Sequence, residues 1–340
     1  GAVVFGDTCV ASGAQSFAAG MLSNATGSQS VAMGVSCNAS GQFAIAMGSG
    51  ASATGYGAVS LGASNHAAGL GSFTVGYINV ASGVGASAIG QANVAAGAVS
   101  LAVGEDTVTE PSGKASMVSG HFNIAKGRAS FVTGNRCVSG PAGDAAFVSG
   151  DSAYAPRPTQ WVHASGNFTD NDEGLHHIAS TGQAQTSLVV LRGETRGAAR
   201  GETTSLRYGG VHAPLAFTLE DDRAYTLTAT CTVAGRISGE DAVQTLTRRA
   251  IAMQRAGIAY VIDQEGTTRF GSTKASSWDI VFSAPRMPTN DTLELTFSTG
   301  TTVASTRTAC KLEFTEVLFP TVEPQDVAPT DSEPAPAGWP

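Results

Sequence analysis

Glycine recurs at a fixed interval of seven through the first 150 residues of this chain. Gly6, Gly13, Gly20, Gly27, Gly34, Gly41, Gly48, Gly55, Gly62, Gly69, Gly76, Gly83, Gly90, Gly97 and Gly104 keep strict step. The count resumes at Gly113, Gly120, Gly127 and Gly134 after a two-residue insertion containing Pro111, and at Gly143 and Gly150 after a second containing Pro141. The two heptads of each pair differ, so the true period is fourteen. A fixed period of this kind marks a stacked solenoid rather than a globular core.

One heptad alternates small and larger apolar residues before its glycine, as in Ser30-Val31-Ala32-Met33-Gly34 and Ser72-Phe73-Thr74-Val75-Gly76, which is the period of a strand. The other is more polar and ends Ala-x-Gly, as in Asn38-Ala39-Ser40-Gly41 and Asn79-Val80-Ala81-Ser82-Gly83. Asn or Cys commonly stands three residues past the preceding glycine. Asn and Gly accept left-handed backbone angles, so they are expected at corners between short strands. The expected object is a flattened coil of two strands and two corners, each turn hydrogen-bonded to the next.

The residue two before each glycine is nearly always small (Ala11, Ala25, Ala32, Ala39, Ala46, Ala53), so the coil interior has room for little more than a methyl group. The larger flanking residues Val31, Met33, Ile45, Met47, Val59, Leu61, Phe73, Val75, Ile89, Leu101 and Val103 are then expected to point outward. Such a stripe exceeds the apolar patch that a soluble monomer tolerates. These residues are therefore the candidates for a contact between identical chains. The alternative is a single-chain β-helix filled by the large residues, with the alanines facing water.

The units Ser30-Val31-Ala32-Met33-Gly34 and Ala86-Ser87-Ala88-Ile89-Gly90, each followed by an Ala-x-Gly heptad, resemble the head repeats of trimeric autotransporter adhesins, which also occur in trimeric phage tail fibres. The resemblance covers about residues 1 to 150 and implies a left-handed parallel β-roll, with three rolls sharing one axis. It agrees with the outward-face argument.

Residues 1 to 104 contain one charged side chain, Asp7, and the arginines lie beyond residue 127. A surface so poor in charge does not steer a polyanion, which argues against nucleic acid and leaves host glycan or protein as partners. The net charge of −8 is partly carried by Glu323, Asp326, Asp331 and Glu333 in a Pro-rich segment, 321–340, expected to be disordered. The five cysteines show no metal spacing, and Cys9, Cys37 and Cys137 share one corner position. Cys9 and Cys37 lie two coils apart, about 9 to 10 Å at a strand spacing near 4.8 Å, too far for a disulfide. No disulfide scaffold is expected. No initiator Met, secretory signal or run of about 20 apolar residues is present. Membrane insertion is therefore not expected, and the chain reads as part of a longer protein attached to other tail proteins through an N-terminal region.

The glycine count stops at Gly150, and Pro156 and Pro158 are expected to prevent regular strand pairing beyond it. The expected divisions are a roll over 1–155, a neck over 156–182, a β-sandwich-like domain over 183–320 and the tail. The neck region holds Trp161, His163, Asp170, Asp172, Glu173, His176 and His177. Convergence of His176 or His177 on a trimer axis would make a cation site, but a polar turn is the stronger reading and no metal is assigned. Segments such as Thr186–Leu191, Tyr225–Thr230, Trp278–Phe282 and Leu293–Phe297 are rich in β-branched and aromatic residues, which suggests an all-β sandwich. Residues 242–259 read as a long strand, with a helix as the alternative. Gln185–Thr195, Asp222-Arg223-Ala224-Tyr225, Trp278 and Glu313–Val317 resemble a C-terminal β-domain common at the ends of phage tail fibre and tail appendage proteins. Some members of that group trimerise and cut themselves free, but no cleavage-site pattern maps onto this chain.

The chain carries no phosphate-cradling Gly-Lys-Ser loop, no Gly-x-Ser-x-Gly elbow and no His-Glu-x-x-His pattern. Glycan hydrolysis needs two neighbouring carboxylates, and residues 1 to 104 supply only one. No catalytic residue or cofactor is expected. The resulting expectation is an all-β, homotrimeric fibre segment of a phage tail, carried on the virion. Its roll of about eleven coils would span roughly 50 Å, and its receptor contacts would come from loops bearing Tyr208, His212 and Thr301. The alternatives are the head of a bacterial trimeric adhesin or a self-processing assembly chaperone.

Overall fold

The structure is a computed structural model that describes residues 1–165, 184–196, 203–206, 217–219, 223–237, 240–256, 258–272, 275, 277–284, 292–299 and 305–318. Residues 1–165 form a β-solenoid, and antiparallel strands follow. Each coil has a five-residue strand, such as Phe17–Met21 or Val31–Val35, and a two-residue strand, such as Asn24–Ala25 or Asn38–Ala39. Every strand pairs in parallel with its counterpart one coil on, Val31 with Ile45 and Ala39 with Ala53. The two-residue strands make an eleven-stranded sheet, the number of coils expected.

The glycines are set by this stacking. Gly34 has φ +127°, and a Cβ there would overlap the carbonyl oxygen of Gly48. Gly41 has an ordinary φ, yet a Cβ would meet the Gly55 carbonyl in the same way. The interior is lined by Ala18, Ala25, Ala32, Ala39, Ala46 and Ala53, all fully buried, so the small residues do point inward. The methyl-only interior does not persist. After the first insertion the same inward column carries Val118, Val132, Val148 and Val162, all fully buried.

The corners differ from expectation in one respect. The left-handed residue is the one before the Asn column: Ser64, Ile78 and Ala92 have φ of 54°, 56° and 54°. Asn65, Asn79 and Asn93 are instead buried inside the roll, where their amides bond to the backbone. Asn is there to satisfy buried carbonyls rather than to supply a left-handed bend.

The roll continues one coil past the last in-step glycine. Phe147–Asp151 pairs in parallel with Trp161–Ser165, Gly150 opposite Ala164, so Pro156 and Pro158 do not prevent pairing. The reason is physical. Gly150 must lack a Cβ because Ala164 stacks on it, whereas Ala164 has no further parallel coil above. In earlier coils the N–H at the position of Pro156 bonds upward, as Thr26 does to the Ala39 carbonyl at 3.1 Å. With no coil above, a proline there forfeits nothing.

The antiparallel part is built of two sheets sharing one core. The first extends the roll's own sheet: Trp161–Ser165 pairs with Ala184–Arg196, which pairs with Ser305–Leu318, then Arg223–Ile237, then Glu240–Arg255. Ile258–Gln264 and Thr268–Gly271 complete it. Residues 242–255 and 258–259 are thus strand, and Ala256 after the first of them has φ 52°. In the second sheet Thr292–Ser298 pairs with Asp279–Ser283, Thr203–Ser205 and Phe217–Thr218. Trp278, Ile280, Phe282 and Phe297 from this side meet Leu227, Leu246, Leu312 and Phe314 from the other, all buried. Each contributes roughly 1.5–3 kcal/mol on burial, far more than an inward alanine of the roll. Cys231 and Cys310, opposite each other on adjacent strands in this core, form a disulfide that sequence spacing did not suggest.

The junction replaces the missing coil. Gln185 accepts the Tyr154 N–H on Oε1 at 2.8 Å and donates from Nε2 to the Tyr154 carbonyl at 2.7 Å. Gln185 also donates to Glu316, whose carboxylate accepts from Ser187 at 3.4 Å and lies 4.0 Å from Arg223. Gln160 donates to Ser187 at 3.0 Å, and the Arg157 guanidinium sits 5.2 Å from the centre of the Phe314 ring. The open end of the solenoid is closed by side-chain amides, an ion pair and an arginine over an aromatic ring.

Candidate functional site

The five-residue strands present two parallel columns on the roll's outer face. Val31, Ile45, Val59 and Phe73 stand in register coil by coil, and so do Met33, Met47, Leu61, Val75, Ile89 and Val103. None of these residues, nor Leu101, is buried; Met33 and Met47 are exposed and the others half-buried. The columns end in an aromatic stack: Phe131 lies 5.3 Å from Phe147, nearly parallel, and Phe147 lies 5.2 Å from Trp161, edge-on. Coils at about 4.8 Å spacing hold these groups on a rigid frame.

The sequence pattern missed the residues that border this face. Phe43, Tyr56, Leu70, Val84 and Val99 project from successive corners and are exposed, with Phe43 and Tyr56 edge-to-face at 5.4 Å. On the opposite corner Leu22 and Ile78 are also exposed. Phe43, Val99, Leu22 and Ile78 have φ between 56° and 61°. Left-handed backbone costs a non-glycine residue about 1–2 kcal/mol, and Gly57, Gly71 and Gly85 show that glycine fits the corner. At these corners bulky apolar residues are held exposed against that cost. Only the corner positions, rather than the heptad pattern, mark these residues.

Beside that corner, the last residues of the five-residue strands turn polar from Gln91 on and bond along the roll. Gln91 donates to Glu105 at 3.1 Å, His121 Nε2 lies 3.9 Å from Glu105 and His121 Nδ1 is 3.1 Å from Asn135 Oδ1. Asn135 donates to Asp151 at 3.2 Å. Lys126 pairs with Glu110 at 3.2 Å and Arg128 with Asp144 at 3.7 Å. Residues 1 to 104 carry no lysine or arginine. Lys126 and Arg128 each pair with a carboxylate on a neighbouring coil.

Cys9, Cys37 and Cys137 are free thiols. Burial pushes the Cys137 thiol up to about 11, which makes it a hydrogen-bond donor rather than a nucleophile. Among the described residues no group of three or more His, Cys, Asp or Glu is placed to hold a metal ion, and no helix is long and apolar enough to cross a membrane. His176 and His177, Tyr208, His212 and Thr301, and the 321–340 tail lie outside the described residues.

The family model described as the YadA head domain repeat matches residues 11–36, 25–51 and 39–65. Those residues lie in the first coils, where the outward columns and the alanine interior are most regular. No curated protein matches the chain significantly. Among solved structures, the Acinetobacter baumannii phage AM24 tailspike protein is similar at 11% identity and TM-score 0.25, over 92% of this chain and 53% of that one. The Acinetobacter phage vB_ApiP_P1 tailspike protein is similar at 11% identity and TM-score 0.23, over 93% and 56%. The tailspike protein gp49 of A. baumannii bacteriophage Fri1, a capsular polysaccharide depolymerase, is similar at 9% identity and TM-score 0.21, over 93% and 57%. The chain therefore spans a little over half the length of these proteins, and superpositions this loose carry no argument about its activity.

Proposed function

We propose that this chain is a structural and host-recognition segment of a homotrimeric phage tail fibre, in which three rolls set their outer apolar faces about a common axis. The observation that carries the reading is the placement of Val31, Met33, Ile45, Met47, Val59, Leu61, Phe73 and Val75 outside a roll whose interior holds alanines. An inward methyl is worth about 0.8 kcal/mol, whereas each covered Val, Leu, Ile, Met or Phe contributes roughly 1.5–3 kcal/mol. The larger reservoir of burial lies on the outside, and a second copy carries the same face. Similarity to the head repeat supports the same arrangement over residues 11–65.

In this reading the roll provides length, other tail proteins attach on the N-terminal side, and a host glycan or protein is bound on the virion's surface without catalysis. Three copies let weak individual sites hold a cell surface. The head of a bacterial trimeric adhesin is the second reading, because the matched repeat is named for such a head. Light scattering of the full chain is the test. A mass of three chains is expected, and a soluble monomer would remove the physical basis of the proposal.

A further inference from the structure

The outer face of the roll does not end at Ser165. Residues directly opposite one another on paired strands lie on the same side of a sheet, so the pairings allow one face to be followed across the junction. Trp161 stands opposite Leu188, Leu188 opposite Glu313, Glu313 opposite Thr228, and Thr228 opposite Arg249. One pair along, Thr186, Thr315, Thr226 and Ile251 form the parallel row. The inward row runs from Val162 through Ser187, Phe314 and Leu227 to Ala250. Roll interior and sandwich core therefore share one side of the sheet, and the apolar face of the roll continues as the outer face of the sandwich.

That outer face is itself apolar at its far margin. Ile251, Tyr260 and Ile262 are exposed, and Phe270, opposite Thr245, is 82% exposed. Met253 pairs with Tyr260 on the same side. Between this margin and the roll lie Thr226, Thr228, Thr230, Thr232 and Thr247 with Arg249 among them, Asp263 stands opposite Ile251, and Lys311 is paired with Glu313 at 2.5 Å. Aromatic, Ile and Met side chains beside a row of threonines, with only scattered charges among them, are closer to the composition of a protein contact than to that of a solvated sheet.

We infer that this face is covered by a second copy of the chain, so that the trimer contact runs from the roll into the antiparallel domain and closes over Ile251, Tyr260, Ile262 and Phe270. The inference rests on the trimeric reading of the roll. If three rolls turn one face of a sheet toward a common axis, the continuation of that face is directed at the same neighbours. A foreign partner would have to reach a surface that the roll already aims inward.

The test uses the full chain and hydroxyl-radical labelling read by mass spectrometry, alongside solution mass. The comparison is between wild type and Ile251→Asp/Ile262→Asp, both exposed positions whose replacement leaves the core intact. Labelling of Tyr260 and Phe270 is expected to rise about fivefold or more in the variant, because a packed contact excludes water. A folded variant that falls to single chains supports the inference as well. A wild-type trimer in which Tyr260 and Phe270 label as fast as in the variant overturns it while leaving the roll trimer intact. A monomeric wild type overturns the trimeric reading itself.

Discussion

The side-chain oxygen of Asn79 accepts the backbone N–H of Asn93, one coil above, at 3.0 Å. The Asn79 Nδ2 donates at the same time to the carbonyls of Val75 at 3.0 Å and Gly90 at 2.7 Å. Asn65, Asn93 and Asn123 repeat the pattern, and between Asn93 and Asn123 the Thr107 hydroxyl donates to Asn93 Oδ1. Asn79→Ala strips two buried carbonyls of their donor and is expected to cost about 1–3 kcal/mol. Cys37 serves the equivalent pair, Met33 at 3.2 Å and Gly48 at 3.3 Å, through its thiol. Asn79→Cys is therefore expected to be milder than Asn79→Ala in denaturant unfolding. Equal losses would show that the amide and the thiol are not equivalent in this column.

The glycines divide into two kinds that substitution should separate. Gly41→Ala drives a Cβ into the Gly55 carbonyl of the next coil, which only a backbone shift can relieve. A loss on the order of 3 kcal/mol or more is expected. Gly57 has φ +63° with open space around it, so Gly57→Ala carries only the left-handed penalty, about 1 kcal/mol. Thermal unfolding of both variants checks the ordering, and similar melting temperatures would mean the coils are not held as tightly as their stacking requires.

Cys231 and Cys310 join the two central strands of the sandwich across 79 residues of chain. Thiol titration of the denatured, unreduced protein should find three free thiols, rising to five after reduction. Reduction or Cys231→Ala/Cys310→Ala is expected to destabilise the antiparallel domain by about 2–5 kcal/mol. Five thiols before reduction would show that the pair is not bridged in solution.

What the sequence revealed follows from what repetition reveals. A period of fourteen fixes the coil, and the alternation of Ala32 between Val31 and Met33, repeated coil after coil, marks which face looks inward. The last coil was hidden for a related reason: a glycine reports on the coil above it, so the coil with nothing parallel above it, carrying Ala164, has no glycine to show. Ile78 and Val99 were hidden because left-handed corners ordinarily select Asn or Gly. The Cys231–Cys310 bridge depends on strands far apart in the chain, and no local spacing records their register.

Cys137 gives the alkaline behaviour of the roll a specific origin. Its single S–H is shared between the carbonyls of Asn135, 3.4 Å from Sγ, and Gly150, 3.3 Å from Sγ, inside the coil. Burial raises its pKa from 9.0 to about 11, and the nearby Asp151 adds a smaller push in the same direction. A group with a raised folded pKa contributes its stability in full below the unfolded value and loses it as pH rises through the folded one. Between about pH 9 and 11 the unfolded chain gives up this proton while the folded chain keeps it, so stability must fall across that window. Alanine occupies the same column at Ala51 and Ala153, both fully buried, so Cys137→Ala should fold. The two proteins differ only at this position, so the difference in denaturant midpoint between them isolates the thiol. That difference is expected to shift steadily against the wild type above pH 9, and a difference independent of pH would mean that the thiol is not buried as the coil places it.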